Sequence, residues 1–285
     1  MAEYGYYKRK RGLFSPDAKT PFKLSRSKID LFFECPRCFY LDRRHGVPRP
    51  SFPAFTLNSA VDNLLKNEFD MYRAKHEPHP LMAEHNLDLV PFQHSNLEEW
   101  RHNFTGVQFI HELTNFLVFG AVDDIWVSPQ DELFVVDYKA TSKEEDPTID
   151  GFWQQAYKRQ MEIYQWLLRG NGFRVSDTGY FVYVNGKKNQ DTFDAKLEFD
   201  IHLIPYTGNG SWIEQTLLDA KACLMADAIP DVGENCEYCP YRQYAGETIR
   251  EVYKARTTDG GTSEKKPTEK TNSKASSDTL QHKLF

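Results

Sequence analysis

The sequence has no apolar run long enough to cross a bilayer. Its longest, Phe116-Leu-Val-Phe-Gly-Ala-Val122, is far short of the ~18 residues that a spanning helix needs. No apolar stretch follows the basic residues of the first segment, Met1 to Arg11, so a secretory leader is not expected and a cytoplasmic setting is. An excess of positive charge is missing too. Lys and Arg number 35 against 41 Asp and Glu, a formal net charge of −6. That balance argues against a protein that coats nucleic acid by bulk charge and leaves room for a local basic groove. Cysteine is scarce, with five in 285 residues. Aromatic side chains are plentiful: 20 Phe, 15 Tyr and 5 Trp are enough for a large core and exclude wholesale disorder.

Four of the five cysteines form two C-x-x-C pairs, Cys35-Pro-Arg-Cys38 and Cys236-Glu-Tyr-Cys239. In an intracellular chain such pairs argue for a metal centre rather than disulfides. Four thiolates at these spacings fit a tetrahedral Zn²⁺ ion, and they also match the ligand count of a 4Fe–4S cluster. Either would clasp the two ends of the domain. Cys223 lies on what the pattern predicts to be an amphipathic helix and reads as a buried thiol.

Residues 1–22 read as an irregular basic lead-in, with Lys8-Arg-Lys-Arg11 solvated. A helix is expected after Ser25 or Ser27, carrying Ile29, Leu31, Phe32 and Phe33 and stopping before Pro36. A second is expected over 58–72. Residues 75–115 give no clear pattern. Strands are expected over 116–127 and 133–139, joined by a turn as a hairpin. A helix over 151–168, strands over 178–184 and 197–204, and a helix over 211–228 follow. Residues 23–254 are thus expected to form one domain, including the cysteine clasp. The remainder, 255–285, is almost free of large apolar residues and is expected to be disordered.

The hairpin carries the chemistry. Side chains alternate along a strand, so Asp137 and Lys139 share one face while Val136 and Tyr138 share the other. Centring the turn on Gln130 sets Asp123 opposite Asp137, with Cβ atoms about 5 Å apart. Facing carboxylates repel unless a cation lies between them, and hard oxygen donors favour Mg²⁺ or Mn²⁺. On the next helix Gln160 and Tyr164 are spaced i, i+4 and share a face.

Gly120-x-x-Asp123, Asp137-Tyr-Lys139 and Gln160-x-x-x-Tyr164, in that order, resemble the RecB-like branch of the PD-(D/E)XK nuclease superfamily. Residues 25–40, with their Cys-Pro-x-x-Phe step, resemble that branch's N-terminal helix, and Cys236-Glu-Tyr-Cys239-Pro resembles its C-terminal cysteine cluster. The resemblance implies an α/β, restriction-endonuclease-like core, a central mixed sheet flanked by helices, with a cysteine-bound metal subdomain. It implies a Mg²⁺- or Mn²⁺-dependent DNA nuclease of repair, recombination or replication. Asp123, Asp137 and the backbone carbonyl of Tyr138 would hold the metal. Lys139 would orient or deprotonate the attacking water, and Gln160 and Tyr164 would position Lys139 or the phosphate. For Cys35, Cys38, Cys236 and Cys239 the resemblance favours 4Fe–4S, with Zn²⁺ as the alternative.

The chain departs from the pattern at Asp62, which stands where the branch carries a metal-ligating histidine. Asp62 can be a further ligand, or Ser59-x-x-Asp62 can be a helix-capping box. The substitution leaves open a second function, a nuclease-fold module that binds nucleic acid with weak or no cleavage. The terminal Gln281-x-x-Leu284-Phe285 resembles the short peptide by which bacterial replication and repair proteins bind the sliding clamp.

Overall fold

The computed structural model describes residues 8–51 and 55–258. Two compact units divide after Cys239. In the first, β1 (Phe22–Ser25) leads into α1 (Arg26–Glu34), α2 (Pro36–His45) and α3 (Thr56–Lys75). A stretch of short elements follows: α4 (Pro80–Glu84), β2 (Val90–Pro91), α5 (Leu97–Arg101) and β3 (Val107–His111). Next come β4 (Phe116–Gly120), β5 (Asp124–Val127), β6 (Leu133–Thr141) and α6 (Gln155–Gly170). The unit closes with β7 (Thr178–Gly186), β8 (Phe199–Thr207) and α7 (Trp212–Met225). Helix α8 (Tyr238–Thr258) begins at the end of the first unit, and its residues from Pro240 are the described part of the second. No helix among the described residues is long and apolar enough to cross a membrane.

The architecture is the expected one, mixed α/β with a central mixed sheet between helices. The strand order is β2-β5-β6-β7-β8, antiparallel throughout except for the parallel pair β6 and β7. Parallel neighbours need a crossover, and α6 supplies it. One face of this sheet meets α6, where Val135 and Phe181 pack with Met161, Ile163 and Leu167. The other meets α3, where Val61, Leu65 and Phe69 pack with Trp126, Val136 and Val182. A smaller sheet, β1-β4-β3, stands apart.

Three local readings change. The single strand expected over 116–127 is two: β4 pairs in the small sheet and β5 in the large one, and Asp123 lies in the short crossing between them. Pro36 ends one helix and also begins another. Proline is favoured at the first helical position, where its missing N–H has no partner to lose, and α2 runs from there to a left-handed Gly46. A Cβ on Gly46 would meet the Arg9 carbonyl oxygen at 2.1 Å. In the described part of the basic lead-in Lys8, Lys10 and Arg11 are exposed as expected, but Arg9 and Phe14 are docked. Asp42 is fully buried and takes its counter-charges from Arg9 and, at 2.7 Å, Lys28, while Phe14 enters the core. The chain stays helical to Thr258, and Gln281, Leu284 and Phe285 lie outside the described residues.

Candidate active site

The hairpin register follows the turn centred on Gln130: Asp124 pairs with Val136 and Ile125 with Val135. Asp123 lies one residue before β5, and its Oδ2 accepts the Tyr138 amide N–H at 3.0 Å. Asp137 is fully buried on the α6 face. Its Oδ1 accepts from Gln160 Nε2 at 2.6 Å, and its Oδ2 faces the Lys139 ammonium with no further hydrogen-bond partner. Burial pushes the Asp137 carboxyl up to about 7. Lys139 pulls against that shift and the neighbouring Asp123 adds to it. Burial lowers Lys139 in turn, but Asp137 and Asp123 outweigh it, so the ammonium stays charged. Asp123, Lys139 and Gln160 line a cleft of about 520 Å³ together with Asp62, Tyr138 and Arg26, and Asp137 lies buried behind its wall.

Gln160 is the hinge of a hydrogen-bonded chain, because the same Nε2 also reaches the Tyr164 hydroxyl at 3.2 Å. The i, i+4 spacing on α6 puts both side chains over the end of β6. Tyr164 is buried, and its hydroxyl is a partner of Arg26, the first residue of α1. A Cβ on Gly120 would stand 2.6 Å from Tyr164 Cε1 and 3.3 Å from Arg26 Cβ. The glycine of the Gly120-x-x-Asp123 motif is therefore needed for space, since the tyrosine ring lies against bare backbone. The only sequence signal for Arg26 was its place inside the 25–40 segment.

Asp124, which the sequence reading passed over, points away from the cleft and anchors it from below. Its Oδ1 pairs with Arg73 at 2.5 Å and Arg101 at 3.1 Å, and its Oδ2 accepts from the Tyr138 hydroxyl at 2.8 Å. Asp70 bridges the same two arginines. Asp124 is fully buried and both guanidinium groups are nearly so, so removing it leaves two cations short of a partner in a dry place. Asp124→Ala should cost about 3–5 kcal/mol of stability, read as a lower urea midpoint. Because Arg73 and Arg101 tie α3 and α5 to the hairpin, the loss should also loosen Asp123, to which Arg101 Nε donates at the backbone oxygen.

Asp62 sits in the cleft wall, well inside α3, which begins at Thr56. The capping-box reading therefore fails: the Ser59 hydroxyl donates to the Phe55 carbonyl instead. Asp62 pairs with Lys66 at 2.8 Å, one turn on, and Lys66 is also 3.6 Å from Asp123. Burial and the Asp123 charge raise the Asp62 carboxyl, against the pull of Lys66.

Among the described residues, the four cysteines are the one group of three or more ligand-type side chains whose donor atoms all lie within 4.8 Å of one another. Asp62 thus does not join Asp123 and Asp137 in such a group. All four thiols are buried and free of disulfides. Sγ separations are 3.5 Å for Cys38–Cys239, 3.6 Å for Cys38–Cys236 and 3.8 Å for Cys35–Cys239. Cys35 caps α2, its sulfur accepting from the Cys38 amide, so the first pair is set by a helix start. Arg49 donates to Cys236 Sγ at 3.5 Å and pairs with Glu34 at 2.5 Å. Cys223 stands outside the group and is only partly buried, with Sγ 3.9 Å from the Pro36 carbonyl oxygen.

The family model described as the PD-(D/E)XK nuclease superfamily matches residues 53–244. The matched stretch holds Asp62, Asp123, Asp137, Lys139, Gln160 and Tyr164 with the second cysteine pair, and excludes Arg26 and the first pair. No curated protein matches the chain.

Proposed function

The chain belongs to the PD-(D/E)XK nuclease superfamily, and on that premise we propose that it is a divalent-metal-dependent DNA nuclease of the RecB-like kind, acting in repair, recombination or replication. The observation that carries this reading is the meeting of buried Asp137 with Asp123 and Lys139, which line the cleft in front of it, with Gln160 hydrogen-bonded to Asp137.

The donor set fits a hard cation. Asp123 lies close enough to raise the proton affinity of Asp137, and the buried Asp137 Oδ2 has no partner besides the Lys139 ammonium. Asp123, Asp137 and the Tyr138 carbonyl would hold Mg²⁺ or Mn²⁺, which supplies Lewis-acid polarisation of the scissile phosphate and acidifies a bound water. Lys139, kept protonated by the same carboxylates, serves better as a donor than as a base. It orients the water and neutralises charge that grows on the phosphate oxygens. Gln160 fixes the Asp137 rotamer, and Tyr164 fixes Gln160. Asp62 would join the metal only by letting go of Lys66. That pairing is the observation that favours the second reading, a binding module that cleaves weakly or not at all.

At the cysteines the sulfur spacing supports a single tetrahedral ion, Zn²⁺, over the 4Fe–4S cluster that the resemblance favoured. Four sulfurs around one zinc at about 2.3 Å stand about 3.8 Å apart. A cluster spreads its ligands over four irons and holds them wider.

The test of the function is cleavage of single- and double-stranded DNA, with RNA alongside, in Mg²⁺, Mn²⁺ or EDTA. Cutting of DNA with either ion and none in EDTA is the expected result. Binding without cutting in every condition would favour the second reading.

A further inference from the structure

Three cations stand at the cleft, and two are already committed. Lys139 faces Asp137, and Lys66 lies between Asp62 and Asp123. Arg26 differs: among the described residues no carboxylate comes within 4.0 Å of its guanidinium, and its partner is the neutral Tyr164 hydroxyl. It nevertheless lines the cleft beside Asp123 and Gln160. Its stem packs against Gly120, where even a Cβ would crowd it. Asp30, the nearest acid on its own helix, is taken by Arg159 at 2.5 Å. Asp30 and Asp137 act on Arg26 only through their charge, and its hydrogen-bond partner is Tyr164, so the guanidinium keeps most of its donors for a ligand. Its planar fork matches two oxygens of one phosphate.

We propose that Arg26 is a substrate-contacting residue that grips a backbone phosphate of the nucleic acid through paired hydrogen bonds, and that Tyr164 sets its angle. This rests on reading the cleft as the nucleic-acid site. It gives the Gln160–Tyr164 chain a second end: Asp137 at the metal carboxylates and Arg26 at the phosphate, joined by two side chains. The phosphate would enter with its register fixed relative to Asp123 and Asp137.

The experiment measures binding of a short fluorescent oligonucleotide to Asp137→Ala protein, which does not cut, with and without Arg26→Gln, over a range of salt. Cleavage by the protein with Asp137 intact is followed in parallel. Arg26→Gln should weaken binding by about tenfold or more and flatten the plot of log affinity against log salt by about one phosphate contact. Tyr164→Phe should lower cleavage without changing that slope, since it removes no charge. Equal affinity and slope with and without Arg26 overturn the proposal, whether or not the parent cuts DNA. Arg26-dependent binding by a parent that never cuts would sink the nuclease reading and leave this one standing. A parent that binds no oligonucleotide sinks both. If Arg26→Gln does not fold, Arg26→Lys serves: it should keep the slope and lose affinity, and undiminished affinity overturns the paired-hydrogen-bond grip.

Discussion

Asp137→Ala should slow Mg²⁺-dependent DNA cleavage by roughly 10³-fold or more while the protein stays folded. The activity loss follows from what the side chain does in the proposed site: it is the buried half of a two-carboxylate cation site and the contact that holds Lys139. Removing one preorganised electrostatic partner alone costs about 10²–10³ in rate, and here the metal site goes with it. The fold should hold because two effects oppose each other: the charge is an unfavourable one to bury, while its loss leaves the Lys139 ammonium without its ion-pair partner. Burial and Asp123 push the carboxyl up to about 7 in the metal-free fold, so the fold prefers it neutral, and alanine is neutral at every pH. The same shift sets a pH dependence. Below about 7 a proton occupies Asp137 and must leave before a cation can bind, so apparent Mg²⁺ affinity should rise as pH increases through that value. Lys139→Ala should cost about 10²–10³ in rate with less effect on metal affinity, because it supplies a donor and not a ligand. Wild-type cleavage by both variants would remove the assignment.

Replacing any one of Cys35, Cys38, Cys236 or Cys239 by Ser should release the bound metal and drop the melting temperature together. Binding free energy at such a site is folding free energy, of order 10 kcal/mol for a structural zinc. The first pair starts α2 and the second straddles the start of α8, with Cys236 before it and Cys239 in its first turn, so the ion would tie the N-terminal helices to the far end of the first unit. Arg49 stands beside Cys236 and would offset part of the thiolate charge. Cys223→Ser should leave metal content unchanged, as its sulfur faces the Pro36 carbonyl outside the cluster. Elemental analysis of the purified protein separates the two metal readings: zinc at one per chain in a colourless sample, or iron in a brown one. Metal loss in Cys223→Ser with retention in Cys38→Ser would overturn the ligand set.

What could be read from the chain was what lies within one element or across one tight turn. The alternation of β6 separates Asp137 and Lys139 from Val136 and Tyr138, and a five-residue turn leaves little freedom in register, so Asp123 had to come beside Asp137. The i, i+4 spacing likewise put Gln160 and Tyr164 on one face of α6, and the C-x-x-C spacing announced a ligand set. Proline at a first helical position was also legible at α2 and was read only as a stop. The rest depended on where distant segments come to lie. Asp124 reads as a twin of Asp123 until Arg73 on α3 and Arg101 on α5 are seen to close on it. Asp62 reads as a cap or a ligand until Lys66 and the helix start are placed. Arg9 reads as solvated until buried Asp42 is found beneath it, and Arg26 until Tyr164 is found beside it. Periodicity is a property of local backbone geometry and shows in the order of residues. The pairing of a buried charge is chosen by whichever opposite charge the packed elements bring within reach, and that choice exists only in the folded chain.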